Sequence, residues 1–374
     1  MKRLEYTVQF VTPAFLGNAF QQGQWRTPPF KALLRQWWRV VKARECDYDH
    51  SRLREAEGCL FGHAWLKDQS GKQWAMQSRI RLRLAEWRGG RMQQWQNDPP
   101  VFHKEVGISG RKIGSHLYLG YGPLTFKRHK GTGLKQTPAI DANEAIGFNL
   151  GVTAQDESDL QRTLQFIHWF GTLGGRSRNG WGSVSLESLN QQNGFNLAPT
   201  DSILSGKAIQ ELLKFSRPLA DCLQLDWPHA IGTSNERLLL WKSRFHFDSW
   251  SQAMQELARI KIAFRTKLDA PVGKAGDRHI LAYPVTNHKV NGWLENGRDT
   301  NRLANQLRFK VVQDKNNKYW CLAFHLPCGL PEMLQEKLGP NKISTDDQLR
   351  VWNKVHGILD KEMKRIQGTQ EGRP

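Results

Sequence analysis

The chain has 374 residues, 39% of them hydrophobic, and 54 lysines and arginines against 35 acids leave a formal net charge of +19. That length makes two or three domains of ordinary size, and that apolar share excludes wholesale disorder. The charge points to a polyanionic partner, nucleic acid ahead of an anionic membrane, because no apolar run approaches the roughly 18 residues of a membrane span.

Residues 4–11 ("LEYTVQFV") alternate, with Leu4, Tyr6, Val8 and Phe10 on one face and Glu5, Thr7 and Gln9 on the other, which predicts a half-buried strand. A start of this kind lacks the apolar core of a signal peptide, so a cytoplasmic location is expected. Pro13 and Gly17 break the pattern. A helix then follows in "RTPPFKALLRQWWRVVKAR", with Thr27 as candidate N-cap and prolines suited to the first turn. Leu34, Trp37, Trp38 and Val41 form its apolar stripe. Lys31, Arg35 and Arg39 line another face at i, i+4 and i+8 with no interleaved acid. Like charges at that spacing repel, so an anion is as good an account of them as a solvated surface.

Residues 51–62 read as a second helix closing near Gly62, and "SRIRLRLAEW" as a strand with Ile80, Leu82 and Leu84 on one face. Its other face carries Arg79, Arg81 and Arg83, three cations that need water or an anion. Residues 100–140 are loop-rich and hold a basic, glycine-spaced stretch, "KRHKGTGLK", containing Lys127 and Arg128. Residues 159–170 form an amphipathic helix stopped by Gly171, and "FGTLGGRSRNGWGSV" leads from it into a strand. The polar residues 190–202 are the best candidate boundary, giving domains of 1–190 and 191–374. Beyond it come a strand near 241–247, a helix over 249–264, strands "LRFKVV" and "YWCLAFHL", and a last amphipathic helix through Val351, Trp352, Val355, Leu359 and Met363. The pattern predicts two α+β halves.

Five scattered cysteines (Cys46, Cys59, Cys222, Cys321, Cys328) favour reduced thiols over a disulfide framework. Cys46/His50 and Cys59/His63 are each four apart, but the spacing is not that of a zinc finger, and no metal or other cofactor is expected. There is no GxxxxGK[ST], GxSxG or HExxH. His103, His116 and His129 are candidates for the acid or base of a metal-independent ribonuclease, although surface or core histidines are the commoner case. Fifteen tryptophans should be mostly core, with some free to stack on bases. In the glycine-rich loop, Gly174 and Gly175 allow close backbone approach and N–H donation to an anion, Arg176 and Arg178 add charge, and Trp181 offers a ring face.

These segments resemble the RAMP superfamily of CRISPR-associated proteins. "VTPAFLGNAF" followed by "TPPFKALLRQWWRVV" is similar to the family's TP turn and its "LR-WWR" helix, through Thr12, Pro13, Gly17, Lys31, Leu34, Arg35, Trp37, Trp38 and Arg39. "REAEGCLFG" is similar to its acidic "E-x-x-LFG" segment, and "GGRSRNGWGSV" to its glycine-rich loop through Gly175, Arg176, Ser177, Arg178, Gly180 and Gly182. Asn18 and Ala32 stand where the family often has glycine. The nearest subgroup is the first RAMP subunit of the type III-B (Cmr) effector.

The resemblance implies two ferredoxin-like (RRM-like) α+β domains, with antiparallel sheets and helices packed on one face. It implies a non-catalytic RNA-binding subunit that works with other Cmr-type subunits on CRISPR RNA and target RNA, with no membrane partner. Absence of "GGDD" and of an "HD" dipeptide agrees with neither a cyclase nor an HD nuclease. The expected RNA contacts are Lys31, Arg35, Arg39, Arg79, Arg81, Arg83, Lys127, Arg128, Gly174, Gly175, Arg176, Arg178 and Trp181. The alternative is a RAMP endoribonuclease that processes CRISPR transcripts without metal.

Overall fold

The computed structural model describes residues 1–67, 70–189 and 196–368. Residues 190–195, the start of the expected boundary, lie outside the described residues.

The first sheet is built from β1 (Lys2–Phe10), β2 (Arg81–Leu84), β3 (Ala145–Val152) and β4 (Val184–Ser188) in the order β4-β1-β3-β2, every pair antiparallel. Helix α1 (Thr27–Lys42) follows β1 and α3 (Glu157–Phe170) follows β3, with α2 (His50–Phe61) beside α1. This is the β-α-β-β-α-β order of a ferredoxin-like domain. Alternation explains the layering. Leu4, Tyr6, Val8 and Phe10 of β1 and Ile146, Phe148, Leu150 and Val152 of β3 are buried under the helices. Helix α1 packs on them through Phe30, 5.8 Å from Phe148, and its stripe residue Trp37 lies 5.5 Å from Phe170 of α3, between ring centroids.

Thr27 is the first helical residue of α1 and not its cap; Arg26 caps in extended conformation without a side-chain bond. Residues 100–140 are also more ordered than loop-rich composition suggests. They hold two hairpins, Pro100–His103 with Arg111–Gly114 and Leu124–Lys127 with Gly131–Leu134.

A second sheet repeats the plan with β5 (Leu240–Lys242), β6 (Leu307–Gln313), β7 (Tyr319–His325) and β8 (Lys364–Arg365) in the order β6-β7-β5-β8. Helix α4 (Trp250–Arg265) follows β5 and α5 (Thr345–Glu362) follows β7, each with a serine N-cap, Ser249 or Ser344. The strands again run in ferredoxin-like sequence. A small core of Tyr283, Val290, Trp293, Leu303, Leu330 and Leu334 organises residues 283–303.

By compactness the chain forms two units. One comprises Met1–Asp98, Leu119–Ser202 and Lys310–Lys318; the other comprises Pro99–Tyr118, Ile203–Phe309 and Tyr319–Pro374.

Candidate nucleic-acid interface

The glycine-rich loop joins α3 to β4 and is folded onto the turn after β1. Gly175 N–H donates to Phe15 O (2.9 Å) and Gly182 N–H to Pro13 O (2.9 Å). A Cβ on Gly182 would sit 1.9 Å from Leu173 O, at φ +60°, so only glycine fits there. A Cβ on Gly174 would meet Phe15 O at 2.8 Å. The N–H groups of Ser177, Asn179 and Gly180 turn back to carbonyls within the loop. The expected N–H cradle is thus largely spent on the protein itself, and Gly175 serves packing rather than donation to an anion.

Trp181 corrects a second expectation. It is 0% exposed and packs 5.4 Å from both Phe15 and Trp95, so it presents no face to a base. Arg176 does point outward. Its residue takes φ +57°, and its Nε donates to Tyr121 O at 2.6 Å. Burial holds its guanidinium below the usual arginine range, partly offset by Tyr121. Arg178 is half-buried beside it in the chain.

The loop is joined to the basic hairpin. Asn179 Nδ2 donates to Leu119 O (2.7 Å), and Leu119–Tyr121 is the root from which Leu124–Lys127 and Gly131–Leu134 extend. Lys127, Arg128, His129 and Lys130 are exposed at its tip. The aromatic surface is here too: Phe126 is 64% and Tyr121 66% exposed. Sequence reasoning passed over both rings, although Phe126 directly precedes the cations it had selected.

The loop's two feet share one anchor. The buried Lys310 Nζ donates to Ile167 O (3.2 Å), His168 O (2.6 Å) and Val184 O (2.7 Å), which flank the loop on either side. Burial alone pushes this amine well below the ordinary lysine value; the three carbonyls are what it gains in return.

Two cations of the α1 stripe are tied to an acid on the next helix. Arg35 and Arg39 both bond the Glu57 carboxylate of α2, Arg39 Nη2 at 2.8 Å from Oε1. Glu57 is 3% exposed. Burial raises its pKa, and the Arg39 and Arg35 guanidiniums more than reverse this, leaving it below the usual carboxylate value. The acid absent from α1 is supplied by the next helix, so one positive charge of the pair is neutralised. Lys31 is half-buried, its amine lowered by burial and then by Arg35.

Arg79 is likewise committed, to Asp156 at 2.9 Å. Arg81 and Arg83 are not. They stand on the helix-free face of the sheet, opposite Gly151 and Asn149 of β3, both exposed, and neither side chain forms a hydrogen bond or ion pair among the described residues. Arg3 on the neighbouring strand is held by Glu5 (2.7 Å).

Neither His103 nor His116 is placed for solvent chemistry, since both are buried, whereas His129 is exposed. Among the described residues no group of three or more histidines, cysteines or acids gathers into a metal site, Cys46, His50, Cys59 and His63 included. No described helix is long and apolar enough to cross a membrane.

No curated protein matches the chain's sequence. Among solved structures, Cmr1 from Pyrococcus furiosus in its apo form is similar at 13% identity, with 98% of this chain and 99% of that one covered and a TM-score of 0.47. A chain of the Type III-B Cmr-beta assembly bound to cognate target RNA and AMPPnP, with single-stranded DNA present, is similar at 12% identity, covering 96% and 99%, TM-score 0.47. A chain of Cmr-beta bound to cognate target RNA gives 10% identity, 95% and 100% coverage and a TM-score of 0.46. The model of the RAMP superfamily matches residues 7–185, a span that contains the TP turn, the "LR-WWR" helix, Glu57 and the whole glycine-rich loop. Over residues 7–185 the chain is thus similar to the RAMP superfamily.

Proposed function

We propose that the protein is a non-catalytic RNA-binding subunit of a type III, Cmr-like CRISPR ribonucleoprotein, contacting guide or target RNA in the cytoplasm alongside other subunits of that effector. The observation that carries this is the joined surface of the first unit. Arg176 is fixed to the root of a hairpin whose tip bears Lys127, Arg128 and Lys130 next to exposed Phe126. Cations for phosphates and a ring for a base are the parts that single-stranded RNA recognition uses. Such contacts are backbone-directed, so sequence would be read by pairing with the guide. In this reading residues 1–190 and 191–374 are the two domains, supported by one β-α-β-β-α-β set on either side of residue 190.

The test is purified protein with CRISPR repeat RNA in EDTA. Binding without cutting, and co-purification of guide RNA with partner subunits, is the expected outcome. Site-specific cutting that persists in EDTA would replace this reading with the metal-independent endoribonuclease, for which exposed His129 is the remaining candidate base.

A further inference from the structure

A second cationic site lies in the second unit, which supplies no residue to the surface above. A cavity of about 1110 Å³ opens around the paired strands β5 and β8 and the end of α5, lined by Arg237, Lys242, Arg244, Phe245, Lys364 and Arg365 among others. Its one lining carboxylate is Asp360, which already accepts from Trp241 Nε1 at 2.6 Å. Among the described residues, none of the five cations forms an ion pair.

Their positions are fixed without neutralising them. Arg365 donates through Nε to Leu238 O (2.9 Å) and through Nη2 to Arg237 O (2.9 Å). Lys242 Nζ donates to Leu204 O (2.7 Å) and sits 4.9 Å over the Trp320 ring. Arg244 Nη2 donates to Lys361 O (2.8 Å). Strand register then sets Lys242 directly opposite Lys364, a like-charge cross-strand pair that is unfavourable unless an anion shares it. Burial and the Lys364 charge lower the Lys242 amine, and burial lowers Arg365, with Asp360 opposing and Arg237 assisting. Phe245 is 75% exposed on the same wall. The space is larger than a single small anion needs and has room for part of a strand.

We propose that this cavity binds single-stranded RNA, its phosphates against Arg244, Lys364 and Arg237 and a base stacked on Phe245. The proposal rests on the reading of the protein as an RNA binder but uses separate residues, so the two can fail separately. Crosslinking and binding with a 4-thiouridine-labelled single-stranded oligoribonucleotide, on the full chain, tests it. Wild type should crosslink at residues 244–245. Arg244→Ala with Lys364→Ala should weaken binding about tenfold and reduce the slope of log K against log salt by about 1.4, at roughly 0.7 per phosphate contact. Phe245→Ala should abolish the crosslink there, and Arg244→Lys with Lys364→Arg should keep the affinity. Matching circular dichroism melts exclude misfolding as the cause.

Crosslinks confined to residues 119–182, with unchanged affinity and slope in the double variant, would overturn the cavity site and leave the first-unit reading intact. Failure of the wild-type chain to bind RNA at all would overturn both. A double variant that loses binding to phosphatidylserine vesicles or to a polyglutamate peptide while keeping its RNA affinity would also overturn it, by assigning the cations to another polyanion.

Discussion

The buried hydroxyl of Thr12 donates to the carbonyl of Gly180 at 2.8 Å, across 168 positions of sequence. The same oxygen accepts from Ser183 N–H at 3.0 Å. The turn after β1 and the glycine-rich loop are therefore one hydrogen-bonded structure. Thr12→Val keeps the side chain's shape but leaves the buried Ser183 N–H unpaired, while Gly180 O keeps the Ser183 hydroxyl at 2.9 Å, so stability should fall by about 1–3 kcal/mol. Thr12→Ser should restore most of it. Urea unfolding of the two variants checks this, and equal stabilities would contradict it.

Arg35, Arg39 and Glu57 should behave as a structural unit. Arg35→Ala with Arg39→Ala leaves Glu57 charged and buried. The loss should be about 1–3 kcal/mol, below the range for fully buried pairs because both arginines are partly exposed. Adding Glu57→Gln should recover part of it. If the double variant instead keeps its melting temperature and loses only RNA affinity, the arginines serve the ligand and not the fold.

Arg176→Ala with Arg178→Ala should reduce the RNA salt slope by about 1.4, and Phe126→Ala should weaken binding by about 1–3 kcal/mol, the usual worth of a stacked base. Trp181→Phe should lower the melting temperature and leave the salt slope unchanged, since the ring is buried. Fluorescence anisotropy across a salt series reads all three.

Stability should also fall in mild acid. Burial, and then the Lys310 charge, lowers His168 to about 3, and burial is the leading cause that lowers His229 to about 4 and His356 to about 3. Each folded value lies below the unfolded one, near 6.5, so the unfolded chain takes up the proton first. Their contribution is complete above pH 6.5 and erodes as the pH falls toward those folded values. The slope is at most about 1.4 kcal/mol per pH unit for each histidine. Glu57 adds to this at lower pH, because its depressed value makes its contribution disappear as pH falls through it. Melting temperatures from pH 7 to pH 5 should therefore decline, and His168→Asn should make the decline shallower.

Elements whose pattern is local were readable in the sequence. The alternation of 4–11, the stripe of Trp37 and Trp38 and the helix ending at Phe170 all appear where periodicity put them. The central strand β3 escaped notice because Gly147, Asn149 and Gly151 occupy every second position, on the face without helices, and mask Ile146, Phe148 and Leu150. The partner of Arg35 and Arg39 escaped notice because it comes from another helix, 22 and 18 positions on, where spacing rules within one helix do not reach. Trp181 looked available because glycines surround it; those same glycines let the backbone fold over it. The second-unit cavity draws on 204–205, 237–245 and 360–368, three stretches with no common motif.

Lys310 gives the order of assembly a constraint. The carbonyls of Ile167, His168 and Val184 receive their shared donor only from a residue more than 120 positions further along the chain. A ribosome must deliver most of the protein before both feet of the glycine-rich loop can be tied. A fragment ending near residue 190 will expose that loop to protease sooner than the full chain does, so the first half cannot be judged by expressing it alone.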